Sequence, residues 1–225
     1  MNEIYRDETA VVYNNDMEEI IDGDLKFDYV LTDPPYNCGY KYPDYKDNMA
    51  DIDYINLLSN LNEYPTIMIH YPEEFCGNVG EAMGKPDKMV QWVYNSNLQR
   101  QHRSIAWYNC RPDFKKIRMP YKDMKDKRNI ELMANGSGGR KIYDWWDDIN
   151  LIKNSSKEKA TKFTNQIPIR LLERILILST DEGDTILDPF FGSGSLYFAC
   201  KNTNRKCIGI EQSAIHLDSF LHRLN

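Results

Sequence analysis

The sequence has no run of about 18 apolar residues, the length that a membrane-spanning helix needs, and no internal repeat or low-complexity tract. Its five cysteines, at 38, 76, 110, 200 and 207, never form a CxxC pair. An odd and scattered set argues against a disulfide scaffold or a cysteine–zinc site and favours reduced thiols. The four histidines, at 70, 102, 216 and 222, suggest no metal centre. The first residues, MNEIYRDETA, are polar and acidic instead of basic and then apolar, so no secretory signal is expected. These absences point to a cytoplasmic protein with no membrane and no metal partner.

What is present fits an ordinary globular chain. With 225 residues, 41% hydrophobic and 28% charged, it is long enough for about one domain with a real core. Its net charge of −6 is unevenly spread. Between Arg100 and Arg128 lie ten Lys/Arg and three Asp/Glu, a local balance of +7 that leaves −13 for the rest. Such a contrast is either a footprint for nucleic-acid phosphates or a solvated basic face.

Short apolar runs alternate with amphipathic segments, the pattern of an α/β sheet covered by helices. Strands are expected at 9–15, 27–33, 66–71, 88–96, 103–110, 184–190 and 206–212. Helices are expected at 16–23, 51–64, 75–85, 167–180 and 213–224, and a further one after the glycines at 192–194. The 51–64 helix is read from apolar residues at 52, 55, 58 and 61. Residues 111–141 are polar, basic and finally glycine-rich, and read as an inserted loop or small recognition region within one domain spanning 1–225. The tryptophans at 92, 107, 145 and 146 read as core.

Two stretches carry chemistry. The first is TDPPYN, Thr32 to Asn37, directly after the apolar FDYVL. Two consecutive prolines stiffen a loop, because each fixes its own φ. The second is ILDPFFGSGSLYFACKNTNRKCIGIEQ, residues 186–212. A strand ends at Asp188, a turn containing Gly192 and Gly194 opens a helix, and the next strand ends at Glu211. Glycines let a backbone approach a ligand, and an acidic residue at the end of the next strand can accept from a ribose. The glycine spacing matches neither G-x-G-x-x-G nor G-x-x-x-x-G-K-[ST]. Asp188 would repel a pyrophosphate and attract a cation, which suits a nucleoside bearing an ammonium group.

DPFFGSGS resembles the S-adenosylmethionine-binding motif of the amino-methylating DNA methyltransferases, and TDPPYN is similar to their catalytic motif. The catalytic motif comes first in the chain, as in the permuted β group of that family. NND at 14–16 resembles the family's start, and KFTNQIPIRLLERIL at 162–176 a further segment. That segment keeps Gln166 and Pro168 but has Phe163 for the family histidine and Ile167 for its lysine.

The resemblance implies a Rossmann-like α/β methyltransferase fold, a mixed and mostly parallel twisted sheet with helices on both faces. It implies S-adenosylmethionine as cofactor, held by Asp16, Asp33, Gln166, Asp188, Pro189, Phe190, Gly192, Ser193, Gly194 and Glu211. Catalysis would fall to Asp33, Pro34, Pro35 and Tyr36. Two acceptors, the Asp33 carboxylate and the Pro34 carbonyl, would localise an amine lone pair, and Tyr36 would stack on a flipped base. Aspartate at the first position favours adenine N6. DNA would be met by Arg111, Lys115, Lys116, Arg118, Lys122 and Arg128, with a homodimer or helper subunit compensating for the short recognition region. Methylation of RNA, and a catalytically silent nucleic-acid-binding subunit, remain as alternative readings.

Overall fold

A computed structural model describes residues 1–21, 25–40, 45–96, 99–160 and 165–224. Eleven strands occur among them: β1 (Glu3–Arg6), β2 (Ala10–Tyr13), β3 (Tyr29–Thr32), β4 (Thr66–His70), β5 (Lys88–Val93), β6 (His102–Tyr108), β7 (Arg118–Met119), β8 (Arg140–Lys141), β9 (Trp145–Trp146), β10 (Thr185–Asp188) and β11 (Lys206–Ile210). The helices are α1 (Glu18–Ile21), α2 (Asp51–Ser59), α3 (Asn78–Met83), α4 (Lys127–Ala134), α5 (Ile169–Ser179), α6 (Ser195–Asn202) and α7 (Ala214–Leu224), with a 3-10 turn at Pro72–Cys76.

Nine strands form one sheet in the order β1-β2-β11-β10-β3-β4-β6-β5-β9. Five of its eight pairings are parallel, so the sheet is mixed and mostly parallel as the resemblance implies. The inner strands are apolar because helices cover both faces. One face carries the layer of Leu171, Leu172, Ile175, Leu196 and Phe220 from α5, α6 and α7, and the other that of Tyr54, Leu57, Leu58, Val79 and Met83 from α2 and α3.

β10 and β3 are neighbours in space, yet β10 leads to β11 on one side and β3 to β4 on the other. The chain therefore switches direction between them, and the crevice beyond their carboxyl ends is where open α/β sheets bind ligands. Asp188 ends β10 and Asp33 follows β3, so both chemical stretches converge on that crevice. β6 runs antiparallel to β4, pairing Ser104 with His70 and Tyr108 with Thr66. Residues entering β6 thus lie at the crevice end, and residues leaving it lie at the far end.

The expected elements are shorter at their ends but mostly in place. In and just after α2 the apolar spacing is half right: Leu58 and Leu61 are buried, but Tyr54 and Leu57 share the inward face and Ile52 is 62% exposed. Residues 111–141 are not one loop, because β7 pairs with β8 around α4 and Met119 and Ile142 enter the core. Trp92, Trp107 and Trp146 are buried as expected, but Trp145 is 60% exposed. The expected helix 16–23 ends among residues outside those described, as does Phe163. Among the described residues no helix is long and apolar enough to cross a membrane.

Candidate active site

The Asp33–Tyr36 loop leaves β3 with its carboxylate already engaged. The Tyr36 hydroxyl donates to Asp33 Oδ1, and Arg103 Nη1 stands 3.7 Å from Asp33 Oδ2. Burial is the main influence on the Asp33 carboxyl and pushes it up to about 6, against the pull of Arg103 and the Tyr36 bond. The Tyr36 ring packs beside His70, at 4.3 Å between ring centres, and edge-on to Tyr71 at 4.4 Å. The face offered to an incoming base on sequence grounds therefore begins inside a cluster of rings.

A second layer fixes the loop, and sequence reading did not find it. The Tyr54 hydroxyl donates to the Pro35 carbonyl at 2.6 Å and lies 3.0 Å from His70 Nε2. His70 Nδ1 accepts from the Tyr71 N–H at 2.8 Å, so its proton belongs on Nε2, facing Tyr54. Burial holds His70 down to about 3, keeping it neutral. The chain His70–Tyr54–Pro35 thus ties α2 and β4 to the proline loop. Beyond the loop, the buried Asp47 carboxylate accepts from the backbone N–H groups of Asn37, Cys38 and Tyr40. It stabilises a turn in which Asn37 has φ 50°.

The glycine turn is built just as tightly. Gly194 has φ 74° and a Cβ there would lie 2.3 Å from Phe220, so only glycine fits. The Gly192 N–H donates to Glu211 Oε2 at 2.7 Å, while Oε1 accepts from Ser213. Ser193 is buried, and its carbonyl accepts from Arg223 at 2.6 Å. Asp188 Oδ1 accepts from the Phe190 N–H and from the Thr32 hydroxyl, each at 3.1 Å. Burial outweighs both bonds and pushes the Asp188 carboxyl up to about 7.

Two hollows meet at Asp33, Phe190 and Gly192. One, of about 600 Å³, is lined by Asp16, Pro189, Glu211 and His216. The other, of about 420 Å³, is lined by Asp188, Ser193, Asn165 and Ile167. Carboxylates at Asp16, Asp188 and Glu211, an aromatic ring at Phe190 and the Gly192 turn suit a nucleoside carrying a cationic amino-acid arm. A third hollow, lined by Tyr71, Tyr94, Arg100, Arg103, Lys159 and Gln166, lies beside Arg103, which faces Asp33, and shares Asn165 with the second.

A family model described as DNA methylase matches residues 65–221 of this chain. The chain belongs to that family. It is an S-adenosylmethionine-dependent family of DNA methyltransferases, and the matched span holds the glycine turn. The Type II methyltransferase M.HpaI of Haemophilus parainfluenzae is 25% identical over 222 residues, covering 88% of this chain and 68% of that protein. The Type II methyltransferase M2.DpnII of Streptococcus pneumoniae is 38% identical over 121 residues, covering 54% of this chain and 41% of its own length. The fold is shared with the M1.HpyAVI–SAM complex, at a TM-score of 0.63 and 22% identity over 96% of this chain and 99% of that one. It is shared equally with the cytosine-N4-specific PvuII DNA methyltransferase, at 0.60 and 13% identity over 97% and 87%.

Within this methylase, Asp16, Asp33, Asp188, Pro189, Phe190, Gly192, Ser193 and Glu211 line the two joined hollows. Gly194 caps the start of α6 just after Ser193 in the chain. The Gln166 amide is spent on backbone, accepting from the Ala160 N–H and donating to the Glu158 carbonyl, each at 2.8 Å. It lines the third hollow instead. The basic segment lies away from the crevice. Arg111 pairs with Asp87 before β5, and Lys116 binds the Thr180 carbonyl and Asp181 before β10. Both sit at the end of the sheet opposite Asp33, because β6 carries the chain away from the crevice. Lys115, Arg118, Lys122 and Arg128 follow on the exposed segment beyond β6, with Arg128 bonded to Asp126. Among the described residues the cations lining the third hollow are Arg100, whose guanidinium lies 4.1 Å from the Tyr71 ring centre, Arg103 and Lys159.

Proposed function

We propose that this methylase transfers the methyl group of S-adenosylmethionine to the exocyclic N6 amine of an adenine flipped out of DNA. The observation that carries the reading is that Asp33 belongs to both sides of the crevice. Its carboxylate borders the two hollows above the glycine turn and also touches the Arg103 wall of the third. A group in the first two and a base in the third would meet at Asp33. When bound, the cofactor supplies an electrophilic methyl group.

The chain's own residues do the rest. Asp16 and Glu211 take the nucleoside end of the cofactor, and Asp188 takes its ammonium. Asp33 accepts one amine hydrogen. Tyr54 already holds the Pro35 carbonyl, so the Pro34 carbonyl is the loop's second acceptor. Two fixed acceptors draw the amine toward a tetrahedral nitrogen and localise its lone pair. The prolines and the His70–Tyr54 brace fix the loop backbone, so that only the Tyr36 side chain has to move. To receive the amine, Asp33 gives up the Tyr36 hydroxyl, which frees the Tyr36 ring to turn toward the base. The methylated amine then loses its proton to solvent. Aspartate as the first residue of the motif supports adenine over cytosine.

The test is to incubate the purified protein with methyl-labelled S-adenosylmethionine and duplex DNA, digest the DNA, and identify the labelled nucleoside. N6-methyladenine is expected. Label found only as N4-methylcytosine, or only on RNA, would overturn the assignment.

A further inference from the structure

The reaction described above does not use Arg103, and its surroundings make it the least expected cation in the molecule. It is 3% exposed. Neither Nε nor Nη1 has a hydrogen-bond partner. Its contact with Asp33, at 3.7 Å, is too long for a hydrogen bond. Its guanidinium lies 5.2 Å from the ring centre of Tyr36, 5.7 Å from that of Trp92 and 5.9 Å from that of Tyr71. A buried charge with donors left unpaired is costly, so such donors mark a place where a ligand completes the bonding.

The neighbours of this guanidinium point to the ligand. Nη1 stands 3.7 Å from the Asp33 carboxylate, and the Arg103 side chain lines the third hollow together with Tyr71 and Tyr94. Asp33 accepts and Arg103 donates, so the pair presents an acceptor next to a donor. The matching edge has an amine beside an unprotonated ring nitrogen. Adenine offers N6 with N7 or N1, and cytosine offers N4 with N3. Thymine has no amine, and guanine's O6/N7 edge places a carbonyl oxygen where the amine should be, facing a carboxylate.

We propose that Arg103 is the base-reading residue of this site, donating to the ring nitrogen next to the amine that Asp33 holds. This rests on the methyl-transfer reading above. A cation at the ring nitrogen withdraws electrons from the amine, so Arg103 contributes selection and placement, not activation. It also balances the negative charge that Asp33 needs in order to accept. The other titratable and charged groups facing this corner are Tyr36 on the loop itself, His70 at the end of β4 and Tyr71 just after it, Tyr94 after β5, Arg100 over Tyr71, Tyr54 on α2 and Asp188 at the end of β10.

The test compares kcat/KM on duplexes carrying the natural target base with duplexes in which that base is 1-deaza- or 7-deazaadenine, or 3-deazacytosine if cytosine is the base methylated. Wild type should lose about tenfold on one deaza base, the scale of a hydrogen bond to a charged group. Arg103→Met and Arg103→Lys should be slower on the natural base and show no further loss on that deaza base. Arg103→Lys keeps a charge beside Asp33 and should leave the acid limb of the pH–rate profile in place, which separates base reading from simple charge balance. Equal wild-type rates on natural and deaza bases would overturn the proposal, as would a deaza penalty undiminished in both variants. A wild type that methylates no base at all, while binding cofactor, would overturn the methyl-transfer reading and this one with it.

Discussion

Thr32 and Asp188 lie 156 positions apart in the chain and meet through one bond, the Thr32 hydroxyl donating to Asp188 Oδ1 at 3.1 Å. Thr32 closes β3 just before the proline loop, and Asp188 closes β10 just before the glycine turn. The bond therefore joins the two chemical stretches at the point where the sheet changes direction. It also favours the ionised form of a carboxyl that burial has pushed up to about 7.

Cofactor affinity should report on that carboxyl. A cationic ammonium needs Asp188 ionised, and the folded value is raised above the ordinary one. Binding should therefore strengthen as pH rises through about 7 and weaken below it. Thr32→Val removes a bond that lowers the value, so the midpoint should move higher and affinity near neutrality should fall several-fold. Calorimetric titration with S-adenosylmethionine across that pH range checks both statements.

Methyl transfer should have its own acid limb. Protonated Asp33 cannot accept from an amine, so activity should be lost as pH falls through about 6. Arg103 opposes the upward push of burial, so Arg103→Met should shift the limb to higher pH. Single-turnover rates with saturating cofactor and DNA separate this limb from that of Asp188.

The brace behind the loop should matter to both stability and rate. Tyr54→Phe leaves the Pro35 carbonyl without its 2.6 Å partner. A buried acceptor stranded in this way costs about 1–3 kcal/mol. Thermal or denaturant unfolding should show that loss, and transfer should slow while cofactor affinity stays close to wild type. Unchanged transfer in a destabilised variant would limit Tyr54 to a role in folding.

The two ends of β6 should behave differently toward DNA. Arg100→Ala, at the crevice, should weaken duplex binding and flatten its dependence on salt by about one counterion. Lys116→Ala, bonded to Thr180 and Asp181 at the far end, should leave binding of the target duplex unchanged and lower stability instead. Fluorescence anisotropy over a salt series, with unfolding curves beside it, distinguishes the two.

Those contrasts follow what was legible in the sequence. Asp33–Tyr36 and Asp188–Gly194 could be read because their chemistry depends on neighbours in the chain: a proline pair, a strand end, a glycine that Phe220 will not let be anything else. Tyr54, His70 and Asp47 could not be read, because each acts on a loop that only tertiary folding brings to it. Tyr54 was hidden further by the pattern of α2, where the polar-tipped ring and not Ile52 faces inward. The placement of the basic run was hidden for a directional reason. Counting charges from Arg100 to Arg128 takes no account of β6, which runs antiparallel and carries Arg111 and Lys116 to the end of the sheet opposite Asp33. Arg103, inside the strand, was counted as one positive charge among ten. Its meaning lies in its burial and its unpaired donors, which no composition records.

The most direct test of the account is single-turnover methyl transfer by Asp33→Ala, with cofactor affinity measured on the same preparation. If Asp33 is the fixed acceptor for the target amine, transfer should fall by about 100-fold or more, the scale of losing one preorganised polar partner. S-adenosylmethionine affinity should stay within about threefold of wild type, because Asp16, Asp188 and Glu211 remain. Transfer at the full wild-type rate by Asp33→Ala would contradict the account.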